Sequence, residues 1–151
     1  MKEATTSAIS MPDGIILFAH GSRDPLWRGP IEAVAHRIRA DHPEQTVACA
    51  YLELCAPSLP DAAATMMTDL NAINSIAPHA DSTGANGSKR LKIRIIPMFL
   101  GMGKHAREDL PELVSALRLA HPQVDFDMTQ TVGEDSRVTA LLAQIAIEAV
   151  A

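Results

Sequence analysis

Aromatic side chains are scarce: three Phe, one Trp and one Tyr make up 3% of the 151 residues. So thin a supply excludes a base-stacking platform and an aromatic ligand cage. Cysteine is scarce too, and Cys49 and Cys55 are too few for a disulfide framework. Six residues apart on one strand, they would lie about 20 Å from each other, beyond the reach of a bridge. No run of 18 apolar residues occurs, so no membrane-spanning helix is expected. The opening MKEATTSAISMPDG carries no apolar signal-peptide core. Positive charge is in deficit, 13 Lys and Arg against 18 Asp and Glu, net −5, whereas nucleic-acid binding asks for a clustered basic face. These absences lead us to expect a reduced, cytoplasmic protein with neither a membrane nor a nucleic acid as partner.

What is present is a chain rich enough in apolar residues to fold, 47% hydrophobic against 21% charged. Its length suits one domain, here over 14–151, preceded by a flexible polar tail over 1–13. The stretch 78–90, PHADSTGANGSKR, lacks periodicity and reads as a mobile loop. Elsewhere strand and helix alternate four times. Short apolar runs predict strands over 14–19, 46–54, 91–100 and 124–132. The first helix is opened by Asp24 as N-cap and Pro25 and closed by Pro43, with Ile31, Val34, Ala35 and Ile38 as its stripe. Further helices are expected over 57–76, 107–120 and 134–150. The order βαβαβαβα implies an α/β fold, a single-domain open parallel sheet of about four strands with helices on both faces. The echo of ADHP (40–43) in LAHP (119–122) is a helix stop, an imidazole near the negative end of the dipole. His42 and His121 therefore leave the pool of ligand candidates, and His36 and His79 are bystanders by position.

Open parallel sheets bind ligands beyond the carboxyl ends of their strands, at the switch in strand order. Three polar residues fall there: His20 after the first strand, Glu53 near the end of the second, and His105 after the third. Two imidazoles and a carboxylate form a reasonable set for a first-row divalent ion. His20 read alone is equally a cap on a tight turn through Gly21, and His105 a residue of a solvated helix-entry loop. Glu53 is costly to bury unpaired, so it lies either at a wet strand end or in a site. Gly101-x-Gly103-Lys104 has neither the spacing of a Walker loop nor the third glycine of a dinucleotide fingerprint. Ala19 stands where a histidine phosphatase needs arginine, which leaves phosphotransfer as the weakest reading.

Taken in order, the segments LFAHGSR (17–23), YLEL (51–54) with Pro57, IPMFL (96–100) running into Gly103-Lys104-His105, and Asp109-Leu110-Pro111 carry a family likeness. The chain resembles the class II tetrapyrrole chelatases, in the short single-domain form acting on sirohydrochlorin as a cobaltochelatase or ferrochelatase. The 78–90 loop is longer than that pattern needs. The resemblance implies a chelatase-like fold and insertion of Co²⁺ or Fe²⁺, with Ni²⁺ a further candidate, for cobalamin or sirohaem. The metal is then a substrate, with no organic cofactor. It implies His20 and His105 as metal ligands, His20 also as proton acceptor, and Glu53 with Leu100, Gly101, Met102, Gly103 and Lys104 as substrate contacts. Whether Glu53 binds metal or relays protons stays open. Neutral imidazoles suit an ion that must be released again, a carboxylate suits proton relay, and Arg23, Arg28, Lys104 and Arg107 suit the carboxylates of an acidic tetrapyrrole. One shallow crevice offers a flat ring a single wall, so a homodimer is expected. A non-catalytic metal-binding or delivery module built on the same His/Glu site is the alternative.

Overall fold

A computed structural model describes residues 11–76 and 90–149; most of the expected tail and nearly all of the 78–90 loop lie outside them. The elements are β1 (Gly14–Ala19), a 3₁₀ turn (Pro25–Arg28), α1 (Gly29–Asp41), β2 (Thr46–Tyr51), α2 (Leu59–Ile76), β3 (Leu91–Pro97), α3 (Lys104–Ala120), β4 (Val124–Met128), a second 3₁₀ turn (Val132–Glu134) and α4 (Ser136–Glu148). The strands form one sheet in the order β2-β1-β3-β4, each pair parallel. The alternating order and the parallel α/β architecture match expectation.

The chain steps from β1 to β2 on one side, then crosses back past β1 to β3 and on to β4. Crossovers of one hand running in opposite directions place their helices on opposite faces. The larger core accordingly joins Ile16, Phe18, Ile93, Ile95 and Phe126 to Met66 and Leu70 of α2 and Leu110, Val114 and Leu117 of α3. On the other face α1 covers Leu17 and Val47 through Ala35, with Ile31 and Ile38 packed beside it. Toward β4 that second face carries an ion pair, Arg94 Nε to Asp127 Oδ2 at 2.9 Å, between directly opposed residues. The α4 helix buries none of its side chains. No helix of the described residues is long and apolar enough to cross a membrane.

Several boundaries differ from expectation. β2 stops at Tyr51 rather than 54, because the next residues turn: Leu54 takes a left-handed φ of 66°, and the Tyr51 N–H bonds the Pro57 carbonyl at 2.9 Å. β3 stops at Pro97 and β4 at Met128, three and four residues short of the expected ends. α3 starts at Lys104, three residues early, because its N-cap Gly103 makes no side-chain capping bond and so left no N-cap signal. Asp24 does cap the turn at Pro25, its side chain accepting from Leu26 N–H at 2.9 Å. Only then does α1 proper begin at Gly29.

Candidate functional site

The β1–β2 pairing outlasts the strands themselves. Leu52 N–H donates to Ala19 O at 2.9 Å and Glu53 N–H to His20 O at 3.0 Å, so the residues that follow the two strands stay side by side. The consequence is a juxtaposition of side chains, His20 Nε2 lying 3.6 Å from Glu53 Oε1. That separation is too long for a good hydrogen bond and leaves both groups free to turn toward a ligand. Both side chains are about half exposed, at 51% and 55%, as a site open to a ligand requires. Gly21 makes the approach possible. Its φ is +98°, and a Cβ there would fall 1.9 Å from the Glu53 carbonyl oxygen, so only glycine fits. At the end of β2, Trp27 packs edge-on against Tyr51 with ring centroids 6.4 Å apart. Burial first of all pushes the Tyr51 phenol up to about 12 and raises the Cys49 thiol. Both therefore stay protonated near neutral pH in the metal-free protein.

Across β1 lies the second bank. Met98 N–H donates to Phe18 O at 2.7 Å, and Phe99 is buried with its ring edge-on to Phe18 at 6.3 Å. Leu100 then turns outward, 66% exposed. At Gly101 and Gly103 nothing lies within 4 Å of where a Cβ would be, which leaves the loop backbone open to a flat ligand. His105 sits in the first turn of α3 rather than in a loop, exposed. Lys104 Nζ lies 3.9 Å from Glu108 and Arg28 Nε 4.0 Å from Glu32. Arg23 and Arg107 are exposed.

The structure thus brings His20 and Glu53 together and sets His105 on the far bank, since Glu53 follows the strand on one side of β1 and His105 the strand on the other. Among the described residues no three His, Cys, Asp or Glu side chains cluster to hold a metal. His42 and His121 are helix C-caps, their backbone N–H groups bonding Ile38 O and Leu117 O. Cys49 and Cys55 are free thiols. Two residues escaped the sequence reading: Thr131 and Gly133, which touch the Phe99–Leu100 backbone. The one available signal was a glycine directly after the expected fourth strand, and that strand, drawn over 124–132, took in Thr131 and stopped short of Gly133.

The chain is similar to proteins already known. A sirohydrochlorin cobaltochelatase of Methanothermobacter thermautotrophicus is 33% identical over 103 residues, 67% of this chain and 57% of the relative. A sirohydrochlorin ferrochelatase of Priestia megaterium is 26% identical over 148 residues, 95% of this chain and 47% of the relative. This chain therefore spans about half the length of these curated relatives. A solved structure from Marinobacter aquaeolei VT8, assigned to cobalamin (vitamin B12) biosynthesis as a CbiX protein, superposes with a TM-score of 0.66 at 26% identity, covering 91% of this chain and 97% of that one. The CbiX family model matches residues 14–149, nearly the whole described fold with both banks of the site, and the chain belongs to the CbiX family.

Proposed function

We propose that this protein is a sirohydrochlorin chelatase that inserts Co²⁺ or Fe²⁺ into the tetrapyrrole. The observation that carries the reading is the placement of His20 against Glu53 at 3.6 Å, beside the β1–β3 switch point where an open parallel sheet receives its ligand. Insertion exchanges two pyrrole N–H protons for one divalent ion. His20 holds the ion through a neutral nitrogen and accepts a proton as the ion leaves, and Glu53 passes protons to solvent. His105 is the second ligand, delivered from the α3 bank. Leu100 to Lys104 line the ring, with Arg23, Arg28, Lys104 and Arg107 set for its carboxylates. The names of the relatives from Methanothermobacter thermautotrophicus and Priestia megaterium support this substrate and these two metals.

The working unit in this reading is a homodimer in the cytoplasm. Leu141, Leu142 and Ile145 project from α4 at helical spacing, 56%, 44% and 54% exposed, an apolar stripe of the kind that closes on a partner. The Priestia megaterium relative is matched over 47% of its own length, room for a second unit of this size, and a second copy of this chain supplies the same.

Mixing the purified protein with sirohydrochlorin and, in turn, Co²⁺, Fe²⁺ and Ni²⁺ tests the activity. Metal-dependent loss of the free-base absorption spectrum, faster than the protein-free control, is the expected result. Metal binding with no acceleration would instead identify a delivery module.

A further inference from the structure

The chain leaves β4 at Met128 and folds back on the end of β3. Thr129 N–H still reaches Ile95 O at 3.1 Å. Thr131 is then buried, 4% exposed, and its hydroxyl donates to Phe99 O at 2.5 Å, with Pro97 O a longer second acceptor at 3.2 Å. Two residues on, Gly133 N–H donates to the same Phe99 carbonyl at 2.9 Å. A Cβ on Gly133 would fall 1.9 Å from Leu100 O and 2.7 Å from Leu100 Cα, so the two backbones touch where only glycine permits it.

Phe99 is held twice, its ring in the core against Phe18 and its carbonyl by two donors. The next residue, Leu100, opens the loop that runs to His105. Glycines at 101 and 103 give that loop wide conformational freedom, so its direction depends on how firmly its start is fixed. A valine fills nearly the same volume as Thr131 without a buried hydroxyl, so packing alone does not explain a polar group there.

We infer that Thr131 and Gly133 are positioning residues, which fix the exit of β3 and aim the Leu100–Lys104 loop at the tetrapyrrole. This inference rests on the chelatase reading above.

Thr131→Val and Thr131→Ser test it, with Thr131→Ala replacing the valine variant should that not fold. In Thr131→Val the KM for sirohydrochlorin should rise about two- to tenfold, the factor corresponding to one neutral hydrogen bond. kcat and Co²⁺ affinity should stay as in the wild type, and Thr131→Ser should restore KM. A hydroxyl that served the fold alone would lower Tm in Thr131→Val and leave KM untouched, which overturns the inference. Serine behaving like valine overturns it too. Amide hydrogen exchange of the ligand-free protein supplies a readout independent of turnover. Leu100 to Gly103 should exchange faster in Thr131→Val while β1 keeps its rates, and unchanged exchange in the loop refutes the bracing. Should the wild type itself not turn over sirohydrochlorin, the chelatase reading falls, and the exchange data alone decide whether Thr131 braces the loop.

Discussion

Replacing Glu53 by Gln keeps the outline of the side chain and one acceptor oxygen but removes the basic carboxylate. Its partner is His20 Nε2 at 3.6 Å, and both side chains are about half exposed. Even fully charged, a pair so wet contributes about 0–1 kcal/mol to stability, which for a domain of this size shifts Tm by at most about 2–4 °C. The proposed chemical role is worth more. General acid–base groups contribute about 10²–10⁴-fold, equivalent to about 3–5 kcal/mol of barrier. Glu53→Gln should therefore lose turnover by two to four orders of magnitude, on the order of the full general-base contribution, while remaining folded. Initial rates from the decay of the free-base spectrum, beside a calorimetric Co²⁺ titration and a melting curve, separate the possibilities. Lost turnover with retained Co²⁺ affinity makes Glu53 a proton relay. Affinity lost in parallel with turnover makes it a metal ligand instead. Turnover equal to wild type refutes any part for Glu53 in the mechanism.

His20→Ala and His105→Ala should each weaken Co²⁺ binding by about tenfold or more, with His42→Ala and His121→Ala as controls; equal losses in all four variants would reject the ligand assignment. The double substitution Leu142→Asp with Ile145→Asp should turn a dimer into a monomer in analytical ultracentrifugation, and a wild-type protein already monomeric at working concentration would remove α4 as an interface. The Asp135 carboxyl is held at about 2 against an ordinary 3.8, first by the side-chain hydrogen bond from Arg137 and then by the Arg137 backbone N–H. Because the folded value is the lower one, this cap of α4 contributes its full stability above pH 3.8 and loses it as pH falls through about 2. An NMR titration should find the midpoint near 2 in the wild type and higher in Arg137→Ala; a midpoint at the ordinary value in the wild type contradicts the capping geometry.

Local pattern carried the sequence reading where one signal dominated. The run Gly14–Ala19 is apolar throughout and stops at a His-Gly turn, so its limits were legible. The helix ends at His42 and His121 were marked by the proline that follows each. Reading failed where long-range bonds override pattern. Leu52-Glu53-Leu54 alternates like a strand, yet the Tyr51–Pro57 bond closes the segment into a turn. Residues 129–132 likewise look like a continuation of β4, and nothing local says that Thr131 bonds a carbonyl 32 residues away. For the candidate site, His20 and Glu53 were findable because they follow adjacent strands. Their 3.6 Å approach depends on Gly21 and could be measured only in three dimensions.

The strand order has a consequence for partial unfolding. β1 is hydrogen-bonded on both sides, whereas β2 and β4 form the edges, and edges with few buried neighbours open at lower free energy than the centre of a sheet. An opening that peels away β4 and α4 takes Thr131 and Gly133 with it, and so frees the Leu100–Lys104 loop, while leaving the β1–β2 backbone bonds that seat His20 beside Glu53. The two banks are therefore expected to open separately, which amide hydrogen exchange of β4 against β1 would report. If Leu100–Lys104 holds the ring as proposed, that grip, with His105 at its far end, loosens to release a product while His20 and Glu53 stay side by side.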